Sequence, residues 1–234
     1  MHSGGKTMEW REAGTFKVSE LATKVPAGKS VGSKYADFLA SKMTPEAKKN
    51  RLSATGAVHR GAGDAEINLY APNSVKLYNS NAVLRWDALE GDNITYKVII
   101  TNMFEDVLLS QETNDTHFML DLTNPKFENA PSGYLLFSVT TAEDADIKSE
   151  GISIRKLEKD DIQKVDTGLG ELMTDIDGES ALNKYILAGF YEENNLIIDA
   201  LTYYEKAIEL APEVETFKEA YEEFLLRNQL KSND

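Results

Sequence analysis

The sequence contains no cysteine, which excludes a disulfide framework, a thiolate metal site and a cysteine nucleophile, and leaves the redox compartment open. Histidine is almost as scarce. The three present, His2, His59 and His117, lie far apart, and none forms a helical pair with a glutamate between, so a zinc or histidine-assisted nucleophilic site lacks its ligands. Apolar runs are only a few residues long, well short of the roughly 20 needed to cross a bilayer. No signal peptide is visible, and Met1-His2-Ser3-Gly4-Gly5 reads as a trimmed or engineered start, which leaves a removed leader open.

Acid is plentiful: the net charge is -14. It is also unevenly spread, with 11 Lys/Arg against 5 Asp/Glu in residues 1–60, 7 against 15 in 61–157, and 7 against 19 in 158–234. An acidic body cannot supply the clustered cations that release counterions from a phosphate backbone, which excludes nucleic acid as a partner. The basic first third has two readings, a contact for an anionic surface or for the chain's own acidic helices, and a solvated linker with scattered lysines.

Along the chain, residues 7–18 alternate on both sides of Gly14, with Met8 and Trp10 on one strand and Phe16 and Val18 on the other, which predicts a β-hairpin. Residues 24–34 form a Gly/Ser/Lys connector. Tyr35, Phe38, Leu39 and Met43 then recur at helical spacing, and Thr44-Pro45-Glu46 supplies a cap and first-turn proline for a second short helix. Residues 52–65, small and aperiodic, form a boundary. From Glu66 to Lys156 the period is two: strands are predicted at 66–70, 75–78, 82–86, 95–101, 107–111, 116–122, 134–141 and 151–155, parted by Asn/Asp/Gly/Pro turns, a pattern of antiparallel sandwich type. Leu84-Arg85-Trp86, Tyr96-Lys97-Val98 and the series Leu135 to Val139 make this stretch resemble a fibronectin type III or immunoglobulin-like domain of the cysteine-free kind.

Beyond Leu157 the period returns to 3.6, with Ile162, Val165, Leu169, Leu172, Met173 and Ile176 as one stripe ending at Asp177-Gly178. In Ala181 to Pro212, Leu187, Ala188, Tyr191, Ala200, Tyr204, Ala207 and Pro212 fall at the leucine, small, aromatic and closing-proline positions of a tetratricopeptide repeat, which the stretch resembles. Lys184 departs from the pattern, standing where a large apolar residue is usual. Val214, Phe217, Tyr221, Phe224 and Leu225 continue on a last helix whose outer face carries Glu215, Glu219, Glu222 and Glu223, as a solenoid cap requires. One repeat cannot stand alone, so the preceding helix and the sandwich are expected to cover it, with a homodimer as a further arrangement.

The expected architecture is thus an α+β chain of several parts: an N-terminal hairpin (1–18), a basic linker with short helices (19–65), an all-β fibronectin/immunoglobulin-like sandwich (66–157) and an all-α tetratricopeptide-like unit (158–234). Motifs that would carry chemistry fail one by one. Gly28-Lys29-Ser30 and Gly5-Lys6-Thr7 resemble the end of a phosphate loop, but Thr23 replaces its first glycine. Asp175-Ile176-Asp177-Gly178 echoes a calcium loop, yet Met173 and Lys184 occupy ligand positions, so Ser180 reads as the next helix cap. No catalytic residue, metal or cofactor is assigned. Asn93-Ile94-Thr95 and Asn114-Asp115-Thr116 fit the glycosylation tripeptide.

The resemblance implies a protein-binding or scaffolding role, with a peptide or partner protein in a groove lined by Tyr185, Gly189, Glu192 and Glu193; the two glutamates favour a basic ligand. Sandwich-plus-repeat chains resemble uncharacterised bacterial cell-envelope proteins, which implies export to a periplasm or cell surface. Two alternatives stay open: a carbohydrate-binding sandwich, for which Trp86 would need to be exposed rather than core, and a hydrolase with its site at the junction of sandwich and helices.

Overall fold

The computed structural model describes residues 2–3, 6–7, 30–47, 67–128, 130, 133–176 and 179–231. β1 (His2–Ser3) and β2 (Lys6–Thr7) pair as a short antiparallel ladder. Apart from Thr7, the hairpin expected over 7–18 lies outside the described residues, as does the boundary at 52–65.

Helix α1 (Val31–Lys42) begins inside the stretch read as a connector. Glycines and serines there disguised a real start: the Ser30 hydroxyl accepts from the Ser33 N–H at 3.1 Å, capping the first turn. Residues 45–47 open a further helical turn, and Thr44 Oγ1 accepts from Ala47 N at 3.2 Å, as the Thr-Pro-Glu signal requires.

Period-two alternation builds seven strands: β3 (Ser74–Leu77), β4 (Asn81–Arg85), β5 (Tyr96–Thr101), β6 (Val107–Thr113), β7 (His117–Asp121), β8 (Leu135–Thr141) and β9 (Ile152–Lys156). They form a five-stranded sheet of order β3-β9-β8-β5-β6 and a two-stranded sheet β4-β7, whose inner faces share one core. Residues 67 and 69, expected in a strand of their own, make only single bridges, Leu69 to Trp86 and Ile67 to Ser149. Trp86 is 1% exposed and packs edge-on against Tyr96, so it is a core residue. One pairing departs from the antiparallel expectation: β3 runs parallel to β9. Alternation fixes which face a residue buries and says nothing about strand direction.

Four helices follow: α2 (Lys159–Met173), α3 (Ala181–Glu193), α4 (Ile197–Leu210) and α5 (Glu215–Arg227). Together these elements make an α+β protein. Ser180 caps α3 by accepting from Asn183 N. A three-residue turn joins α3 to α4 as a helical hairpin; Asn195 takes φ +57°, while Leu196 N bonds Tyr191 O and Asn195 N bonds Glu192 O. The same paired closure recurs after α5, with Gln229 at φ +57° and the 1% exposed Leu230 tucked beneath it.

Helix α4 is buried on two sides. Ala200, Leu201, Tyr204 and Ala207 enter the helical core, whereas Ile198 enters the core of the sheets; Tyr70 and Val83 of the sheet region enter the helical core in return. A polar row lies between. Asp199, 1% exposed, accepts from Tyr78 N at 3.0 Å, Asn79 N at 2.9 Å and Asn79 Nδ2 at 2.7 Å. Thr202 Oγ1 accepts from Val83 N at 3.0 Å and donates to Ile198 O at 2.8 Å. Glu205 takes both arms of the Arg85 guanidinium and the Tyr221 hydroxyl. Burial raises the Asp199 carboxyl above its ordinary range, against the opposing pull of its three N–H donors.

Replacing Asp199 by alanine strands two half-buried backbone N–H groups and should lower unfolding stability by about 3 kcal/mol, measured by urea denaturation; a loss below about 1 kcal/mol would contradict this role. Gln229→Gly removes a side chain from the left-handed region and should raise stability by about 1 kcal/mol in the same assay.

Candidate interaction surface

At about 100° per residue, Tyr185, Gly189, Glu192 and Glu193 share one stripe of α3, which is why a single groove was expected there. The structure divides that stripe between two neighbouring helices. Tyr185 and Glu192 lean toward α4 and α5; Gly189 and Glu193 lean toward α1.

On the α5 side the stripe is closed. The Tyr185 ring meets Phe217 at 5.1 Å and Tyr204 at 5.9 Å between centroids, and burial pushes its hydroxyl up to about 12. Glu192 is clamped bidentately by Arg227, Nε to Oε1 and an Nη to Oε2, both at 2.6 Å, while the Tyr204 hydroxyl donates to Oε2 at 2.9 Å. The side chains of Glu192 and Arg227 are only 7% and 15% exposed. Glu192 therefore holds α3 to α5 and does not present charge to a ligand, which differs from the sequence expectation.

On the other side lies α1. Leu39, 1% exposed, sits over Gly189: a Cβ there would stand 2.8 Å from Leu39 Cγ and 2.9 Å from its Cδ1. Tyr35 packs edge-on against Phe190 at 5.3 Å, and Lys34 Nζ reaches Glu193 at 3.3 Å on an exposed rim. Asp175, just past α2, accepts from Gly32 N at 3.0 Å at the start of α1. Of the four predicted residues, Gly189 and Glu193 thus do border a helix-shaped trough, and the chain's own helix occupies it.

Sequence reasoning missed Lys34, Leu39 and Asp175 as parts of this surface, because nothing local signals a contact with |i−j| of 143. Asp199, Thr202 and Glu205 were legible in principle: a polar row every third residue, beginning among the apolar residues of the first two turns of α4, marks a second packed face.

Two hollows remain. At the junction of sheet and helices a cavity of about 520 Å³ is lined by Ser74, Val75 and Lys76 of β3, Asp161 and Lys164 of α2, and the 194–197 turn, among others. Asp161 is the single carboxylate in its lining and pairs with Lys164 at 3.2 Å. A second hollow of about 310 Å³ opens between β6 and β7. Its Asp121 accepts from Thr123 N and Oγ1, which holds its carboxyl below the usual range, and Asn124 accepts from Lys126 N. Those acceptors are engaged in local turns. Among the described residues no group of three or more His, Asp or Glu side chains is placed to hold a metal ion, and no helix is long and apolar enough to cross a membrane.

Neither a protein-family model nor a curated protein matches the chain in sequence comparison.

Glu192→Ala would leave the Arg227 guanidinium buried without its counter-charge and should cost about 3 to 5 kcal/mol in denaturant unfolding, whereas Glu193→Ala, at the rim, should cost under about 1 kcal/mol. Equal losses in the two variants would refute this division of the stripe.

Proposed function

We propose that this is a non-enzymatic binding or scaffolding protein, in which a fibronectin-like pair of sheets braces a tetratricopeptide-like helical unit that receives a partner helix or peptide. The observation that carries the reading is the trough along α3: it is shaped to hold a helix, because it holds α1. The repeat pattern supports it. Leu187, Ala188, Tyr191, Ala200, Tyr204 and Ala207 are all buried in the helical core, with Pro212 just past the end of α4. Alanines at 188, 200 and 207 let α3, α4 and α5 approach closely, and the tyrosines fill the grooves between them. The sheet order, with β4-β7 facing β3-β9-β8-β5-β6 and the Trp86 ring against Tyr96, supports the fibronectin-like part.

Glu193 at the rim makes a basic ligand the better fit. The acidic helical surface and the resemblance to cell-envelope proteins favour a partner met outside the cytoplasm. In affinity capture from the native host, Glu193→Lys should remove at least one protein retained by the unaltered chain, whereas Glu219→Lys on the far side of α5 should not. Identical captured sets from both variants and the parent would overturn the assignment of the binding face.

A further inference from the structure

The trough beneath α1 is built for a particular kind of helix. Glycines thin its walls at two points: Gly189 receives Leu39, and Gly168 of α2, whose added Cβ would stand 3.1 Å from the Phe190 ring, lets α2 close on that ring beside Tyr35. Glycine is unfavourable within helices, so both positions answer to close approach rather than to local propensity. The rest of the fit is polar: Asp175 receives the Gly32 N–H in the first turn of the docked helix, and Glu193 receives its lysine.

Helix α1 is a modest tenant. It has 12 residues, of which Gly32, Tyr35 and Leu39 are buried, and its one ion pair to α3 has a lysine that is 60% exposed. Helices of this length are marginal on their own in water, so leaving the trough and losing helical structure are one event. Tyr35 and Leu39 join the core that α3, α4 and α5 share, but those three helices also hold one another through Tyr185 on Phe217, Tyr204 on Phe224 and the buried Glu192–Arg227 pair, contacts that do not include α1.

We propose that the α2–α3 trough is a receptor for an amphipathic helix of pattern Lys-Tyr-x-x-x-Leu, and that α1, carrying Lys34, Tyr35 and Leu39, is its built-in competitor. This rests on reading the helical unit as a binding module and adds what it binds and how access is controlled. A segment on the same chain competes at an effective concentration on the order of millimolar. A partner helix present at about 1 μM must therefore bind roughly a thousandfold more tightly than the free α1 sequence does. The trough thus selects against weak helices that merely resemble α1.

The test uses a fluorescein-labelled peptide of residues 30–43 and the full chain in three forms: unaltered, Leu39→Asp, and Leu39→Asp combined with Gly189→Leu. Fluorescence anisotropy should show binding to the Leu39→Asp chain at least tenfold tighter than to the unaltered chain, and filling the notch should abolish the gain. Circular dichroism and hydrogen exchange of α3–α5 establish that each form is folded; should Leu39→Asp fail there, the milder pair Tyr35→Ala and Leu39→Ala takes its place. Equal binding to all three forms would overturn the proposal. So would no binding to a folded Leu39→Asp chain, since α1 would then be a strut and not a ligand. If the peptide docks as expected but no host protein displaces it, the competitor assignment stands and the scaffold reading falls. If host proteins bind yet the peptide competes with none of them, the reverse holds.

Discussion

The contact on which the molecule depends is the row Asp199, Thr202, Glu205 against the outer edge of β4. A two-stranded sheet is marginal in water, and β4-β7 has an edge whose backbone would otherwise face a helix with no partner. Thr202 supplies an acceptor for Val83 N, Asp199 gathers the N–H groups of the turn between β3 and β4, and Glu205 secures Arg85 at the strand's end. Helix α4 thereby stands in for a missing strand. Because its opposite face is the centre of the helical core, α4 belongs to sheets and helices at once, with Ile198 in one core and Tyr204 in the other. The change of period at Leu157 has a counterpart in packing: Ile152 and Ile154 of β9 belong to the core of the sheets, whereas Leu157 is buried with the helices.

Elements were legible wherever a short-range rule decides them. Alternation located seven of the eight expected strands within a residue or two, 66–70 forming only isolated bridges, and spacing of 3.6 located α2 to α5, because each rule expresses which side of one segment is buried. Helix α1 was legible as apolar residues at helical spacing, but its start was hidden in a run of Gly and Ser that only the cap at Ser30 resolves. Partnerships between distant segments were not legible. The parallel pairing of β3 with β9, the placement of α1 on α3 and the turn of Glu192 toward Arg227 are each decided by several candidates competing for the same surface.

The predicted groove residues show the difference. Position along a helix gives an angle to about 20°, enough to put Tyr185, Gly189, Glu192 and Glu193 on one stripe, and not enough to tell which of two flanking helices each will meet. Glu192 also illustrates why a carboxylate in sequence is a poor guide to exposed charge. Surrounded by Arg227, Tyr204 and Asn228, it serves as a buried fastener whose removal would be costly, even though a well-packed apolar substitute for the whole pair need not be.

The separation of Gly32 from Asp175 sets a schedule for biosynthesis. With donor and acceptor 143 positions apart, the segment that becomes α1 leaves a ribosome long before its seat exists. At about 5–20 residues per second the wait is on the order of ten seconds. Throughout that interval the core that buries Tyr35 and Leu39 in the finished fold has yet to be made, and it is completed only when α3 arrives.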